Sequence, residues 1–117
     1  MKPSPTRISA AIGFGTVLLG AFGAHALKDI LAQNGTAAIW ETAVFYQFIH
    51  AVMLFILAER KPFHPVAWWG FLAGIALFSG SLYVLALTNL RWLGAITPVG
   101  GVSFLVGWAS LAWPSRR

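Results

Sequence analysis

WETAVFYQFIHAVMLFILA, Trp40 to Ala58, is long and apolar enough to cross a bilayer, yet it carries Thr42, Tyr46, Gln47 and His50. At about 100° per residue those four fall with Ala43 on one arc of a helix, while Val44, Phe45, Phe48, Val52, Phe55 and Ile56 cover the other. One side suits lipid and the other needs partners. An unpaired amide or imidazole is costly in hydrocarbon, so the polar arc has to meet protein or a wet cavity. The rest of the chain has to supply that cover, which makes this an all-α membrane protein built as a bundle of transmembrane helices.

The composition agrees. Of 117 residues 58% are hydrophobic and 9% charged, with a mean hydropathy of +0.75, whereas soluble domains carry charge on roughly a quarter of their residues. At about 20 residues per crossing the length allows four helices in a single transmembrane domain, residues 1–117. The expected crossings are residues 8–27, 40–58, 66–87 and 93–113. No length remains for a soluble domain, so any function belongs to the helices. The net charge of +5 sits singly or in pairs at the ends of apolar segments, which speaks for membrane orientation and against nucleic acid. The absence of cysteine removes disulfides, thiolate nucleophiles and cysteine metal ligands.

In the first segment, Pro3 and Pro5 delay the helix and His25 is the one ionisable group inside it. Its basic start and Ala24-His25-Ala26 imitate a signal peptide with a cleavage site. Against cleavage stands a stripe of small residues, Gly13, Thr16, Gly20 and Gly23, which lets another helix approach and has no use in a discarded leader. In the first loop Leu27, Ile30 and Leu31 read as one turn floating at the interface, with Lys28, Asp29 and Gln33 in water and Asn34-Gly35 as the stop. Glu59-Arg60-Lys61-Pro62 closes the second helix. The third carries Gly70, Ala73, Gly74, Gly80 and Ser81 on one arc, with a literal G-x-x-x-G. The fourth repeats the pattern with Gly100, Ser103, Gly107 and Ser110. Thr97-Pro98 reads as a kink within that crossing, in preference to a cap that would point a helix N-terminus into the membrane.

Lys2, Arg7, Arg60, Lys61, Arg116 and Arg117 share one side, against Lys28 and Arg91 on the other. The positive-inside rule then puts both termini in the cytoplasm. The same bias, and a first helix without a carboxylate, separate the chain from dual-topology small multidrug exporters.

Four blocks carry a family likeness: Gly20-Ala21-Phe22-Gly23-Ala24-His25-Ala26-Leu27; Thr42-Ala43 with Tyr46 and His50-Ala51; Leu77-Phe78-Ser79-Gly80-Ser81-Leu82-Tyr83; and Ile96-Thr97-Pro98 followed by Gly100-Gly101. In this order, over nearly the whole chain, they resemble the YgdD-like family of small membrane proteins. The resemblance implies a multi-pass four-helix protein of the bacterial inner membrane, and it brings no activity, cofactor or partner. Asn89 stands where such proteins are expected to have glycine.

The candidate functional cluster is Thr42, Tyr46, Gln47 and His50, with Ser81 and Thr97 at matching depth on the third and fourth helices. His50 lies about 15 Å below the outer helix end, near the midplane, and reads either as a proton relay or ligand or as a neutral imidazole bridging helices. The first helix, offering mainly glycine and Thr16, can pack against this arc but can hardly satisfy an imidazole. His25 and Glu41 lie at similar height and could pair at the surface. A haem between His25 and His50 would need both rings at one level, and their depths, different by several ångströms to about 15 Å, speak against it. Ser79, Ser81 and Tyr83 lack the adjacent base a nucleophile needs. Trp40, Trp68, Trp69, Trp92 and Trp113 read as interface anchors, with Trp108 deeper. Gly13, Gly20, Gly70, Gly74, Gly100 and Gly107 are the expected packing glycines.

With no carboxylate pair, metal-ligand cluster or phosphate loop, the first functional reading is a non-enzymatic accessory or interaction protein without cofactor or metal. Its partners are the lipid bilayer and either a larger membrane complex or further copies of the chain. The second reading is an oligomeric small-solute or proton-coupled transporter or channel, lined by the polar arc.

Overall fold

The computed structural model describes residues 4–113. Lys2, Pro3, Pro114, Ser115, Arg116 and Arg117, which bear on the expected ends, lie outside them. The described chain is helical, and four helices are long and apolar enough to cross a membrane: Pro5–Ala24, Ala37–Glu59, Pro65–Thr88 and Arg91–Ala112. They are called the first to fourth spans.

Local chemistry moves the span ends from where hydropathy places them. The first span begins at Pro5, because Ser4 caps it by accepting the Arg7 amide at 3.2 Å and Pro5 sits in the first turn, where its missing N–H costs no hydrogen bond. It ends at Ala24, three residues early, because His25 leaves helical geometry at φ −125°, ψ −83°. A short helix, Lys28–Asn34, follows and stops on Gly35 at φ +67°, a conformation that suits glycine. Leu31 on that helix is no floating interfacial residue: it is buried with Trp40 and Ala86. The second span starts at Ala37, with the buried Thr36 hydroxyl donating to the Ala86 carbonyl at 2.7 Å. Asn34 donates to the Ala86 and Leu87 carbonyls as well, so the first connection is fastened to the end of the third span. Asn89, at φ +61°, terminates that span in the left-handed region that asparagine tolerates.

The third span contains a π-helical turn, Ile75–Ser79. The wider turn shifts the register that an uninterrupted helix would keep. Gly80, expected on the arc of Gly70 and Gly74, therefore finds nothing nearer than the Ile75 carbonyl of its own helix, and Ala73 is exposed. The fourth span opens with a 3-10 segment, Arg91–Ala95, and passes through helical Ile96 into an α-helix at Thr97. Thr97 makes no side-chain cap. The break is thus a change of helix type, with neither a proline kink in a uniform helix nor a helix N-terminus capped by Thr97.

The second span packs between the first and third, and the third packs against the fourth. Leu54, Leu57, Ala67, Trp68, Phe71, Ile75 and Phe104 form the larger core, joined by Ile8 and Ile12 of the first span and Leu111 of the fourth. Glycines bring the third and fourth spans together. A Cβ on Gly70 would lie 3.3 Å from the Ser103 carbonyl oxygen, one on Gly74 would overlap the Phe104 ring, and one on Gly107 would overlap Phe71. The Ser103 hydroxyl donates to the Gly70 carbonyl at 2.7 Å. Close approach raises van der Waals contact, the main attraction between helices in lipid. On the first span Gly23 gives room to the Trp40 indole and Gly20 faces Val44, but Gly13 faces open space and packs nothing.

Two expected interface anchors are core residues. Trp40 is 3% exposed and donates to the Leu19 carbonyl at 2.9 Å, and Trp68 is 1% exposed and donates to the Ser9 hydroxyl at 3.0 Å. Trp69, Trp92 and Trp113 are exposed. Ser9→Ala should strand the buried Trp68 N–H and cost about 1 kcal/mol, since hydrogen bonds in membranes are worth less than their burial suggests. An unfolding titration of the variant in mixed micelles checks this; an unchanged midpoint would mean that Trp68 finds another acceptor.

Candidate functional site

The polar arc of the second span divides into separate contacts and does not gather into one cavity. Thr42 is exposed and its hydroxyl returns to its own helix, donating to the Ala38 carbonyl at 3.0 Å. Tyr46 is partly exposed and lays its ring on Phe78, 4.6 Å between centroids. Gln47 is buried and joins three spans: its amide N–H donates to the Ile12 carbonyl at 3.3 Å, and its carbonyl accepts the Tyr83 hydroxyl at 2.5 Å. Tyr83 in turn packs against Trp40 at 4.7 Å. The first span thus satisfies a polar side chain through a backbone carbonyl, an acceptor that side-chain counting overlooks.

His50 is 4% exposed. Its Nδ1 lies 2.7 Å from the Tyr46 carbonyl oxygen and its Nε2 lies 3.0 Å from Trp108 Nε1. An indole N–H only donates and a carbonyl only accepts. The ring is therefore assigned as the neutral Nδ1–H tautomer, with Nε2 accepting from Trp108. Phe104 stacks on the ring at 3.7 Å and 9° between planes, while Phe71 stands edge-on at 5.1 Å. Both nitrogens are occupied, Phe104 covers one face of the ring and Phe71 lies against it edge-on.

Ser81 and Thr97 do meet, hydroxyl to hydroxyl at 2.7 Å, but they join the third span to the fourth and make no bond to His50. Ser79, within the π turn, donates to the Ala43 carbonyl at 2.7 Å and ties the third span to the second. His25 and Glu41 are both exposed and make no ion pair with each other. Among the described residues no buried side-chain nitrogen or oxygen lacks a hydrogen-bond partner, and no three histidine or acidic side chains gather where they could hold a metal ion. The arrangement holds helices together.

Trp108 and Tyr83 are the partners that sequence reasoning missed. Trp108 carried a signal, as the one tryptophan away from a segment end: its ring is 41% exposed, yet an indole N–H at that depth in a span needs an acceptor. Tyr83 carried none, because the wider π turn changes the direction in which it points.

Residues 19–101 match a family model described as protein of unknown function (DUF423). The chain is 48% identical to the UPF0382 inner membrane protein YgdD of Escherichia coli, covering 87% of this chain and 82% of that one. It is 47% identical to a UPF0382 membrane protein of Staphylococcus epidermidis, over 89% and 85% of the two chains. A UPF0382 membrane protein of Haemophilus influenzae is 42% identical over 100% and 97%. No solved structure matches. The chain belongs to the DUF423, or UPF0382, family, and is a multi-pass inner-membrane protein with four candidate spans.

Proposed function

We propose that this UPF0382 protein works by association, as a small accessory or assembly subunit of the membrane without chemistry of its own. The observation that carries this reading is the state of His50. An ionisable group inside a membrane span is a functional candidate by default, but here both ring nitrogens are taken and Phe104 and Phe71 lie against the ring. A relay or a substrate contact needs a nitrogen open to water or ligand. The transport reading has less support, because Thr42 bonds to its own backbone and Gln47 is spent on Ile12 and Tyr83. Sizing with mass determination after mild solubilisation should find the chain in one larger complex. A closed homo-oligomeric ring, or a deletion phenotype reproduced by a folded His50→Gln variant, would favour transport.

Both termini belong on the cytoplasmic side in this reading. Arg7, Arg60 and Lys61 mark one end of the spans and Lys28 and Arg91 the other. The Thr6 hydroxyl donates to Glu59 at 2.6 Å, which joins the start of the first span to the end of the second. The first span stays with the protein in this reading, since Trp40, Gln47 and Trp68 all bond to it. The chain has no cysteine, so single cysteines report without background. A Gln33→Cys variant should label from outside intact cells and a Ser4→Cys variant only after permeabilisation; the reverse pattern would invert the topology.

A further inference from the structure

The seam between the first and second spans opens into two apolar hollows that share Phe48. One, of about 350 Å³, lies between Gly20, Gly23 and Ala24 and the facing Val44, Phe45 and Phe48. The other, of about 370 Å³, continues past Gly13 and Thr16 towards Phe55. Ser9 to Ala24 is 15 helical rises, about 22 Å, longer than one leaflet of hydrocarbon. The hollows exist because the first span offers little beyond Cα there: Gly13 has nothing within 4 Å, and Phe45 and Phe48 remain more than half exposed. Only one charged side chain, Glu41, lines either hollow, and it sits at the end nearer the connecting helix Lys28–Asn34. Among the described residues its carboxylate has no hydrogen bond or ion pair.

We propose that this groove is a lipid site, taking one acyl chain of a phospholipid along the Phe45 and Phe48 side with the ammonium of its headgroup against Glu41. Charge selects the lipid class. An aminophospholipid such as phosphatidylethanolamine brings a cation to the one carboxylate of the lining, whereas an anionic phosphatidylglycerol finds no cation there. The chain fills a concave apolar strip that flat helix faces lack, so its retention exceeds that of bulk lipid. The site does not depend on which end of the spans faces the cytoplasm, nor on the accessory role proposed above.

The test is native mass spectrometry of the full chain, exchanged in detergent against an equimolar mixture of phosphatidylethanolamine and phosphatidylglycerol. Wild type should retain phosphatidylethanolamine two- to fivefold over phosphatidylglycerol, about the effect of a single exposed charge pair. Glu41→Gln should keep the total lipid retained and lose the preference. Gly13→Leu and Gly20→Leu should lower total retention of both lipids, because their side chains occupy the groove. Gly15→Leu, open but outside the lining, should leave retention unchanged. A preference that survives Glu41→Gln, or retention untouched by filling the groove, overturns the proposal. So does a Gly13→Cys variant that cross-links between copies, since a second chain then fills the seam.

Discussion

Gly100→Ala should destabilise the protein by about 3 kcal/mol, although it adds a single methyl group, because the new Cβ would have to enter the backbone of the third span. At that point the Phe78 amide nitrogen and Cα stand where the methyl would go. A side chain in the way can rotate, but a backbone can only move with its helix. Phe78 lies inside the π turn, held through Ser79 to the Ala43 carbonyl and through the Ser81 hydroxyl to its own carbonyl. The clash is therefore relieved only by separating the third and fourth spans, which loosens the contacts of Gly70, Gly74 and Gly107 along the same seam. Helices in lipid have no hydrophobic force to draw them back together. Gly101→Ala is the control, since its Cβ would meet only the Phe78 ring, at an ordinary 3.9 Å. Unfolding midpoints of the two variants in mixed micelles should differ widely; equal midpoints would mean that the spans do not touch at Gly100.

The spans could be read from the sequence because hydropathy and segment length depend on nothing but composition, and the glycine spacing of the third and fourth spans corresponds to the seam they form. What could not be read depends on local backbone geometry. The π turn leaves no mark in Ile75–Ser79, yet it removes Gly80 from the packing arc. It also puts Tyr83 within reach of Gln47. Trp40 and Trp68 looked like interface anchors because tryptophan at a segment end ordinarily serves that role. Their burial depends on acceptors that only the fold supplies, the Leu19 carbonyl and the Ser9 hydroxyl. The polar arc was legible as an arc but not as a site. Its members share a helix face, while their partners are spread over three other helices and include backbone carbonyls that no side-chain pattern shows.

His50→Ala should cost about 3 kcal/mol, the sum of a stranded Trp108 N–H and a ring-sized cavity beside Phe104 and Phe71. The informative experiment separates those two contributions. Trp108→Phe removes the donor and keeps an aromatic ring, leaving His50 Nε2 unpaired at a cost of about 1 kcal/mol. His50→Leu fills most of the volume and strands only the indole N–H. With both changes made neither polar group is left over, so the double variant should recover about 1 kcal/mol relative to the sum of the single ones. That coupling lies within the measured range for hydrogen bonds between membrane helices, which averages about 0.6 kcal/mol and reaches about 1.7. It belongs in the upper part of the range because Nδ1 is already engaged by the Tyr46 carbonyl and the ring is almost fully buried, leaving Nε2 no alternative donor. A coupling of zero would show that the Trp108 bond does not form, and Nε2 would then be open to a proton or a ligand. A stable double variant that fails to rescue a deletion strain would carry a different message: the pair would be dispensable for the fold and required for the activity, and the accessory reading would give way to transport.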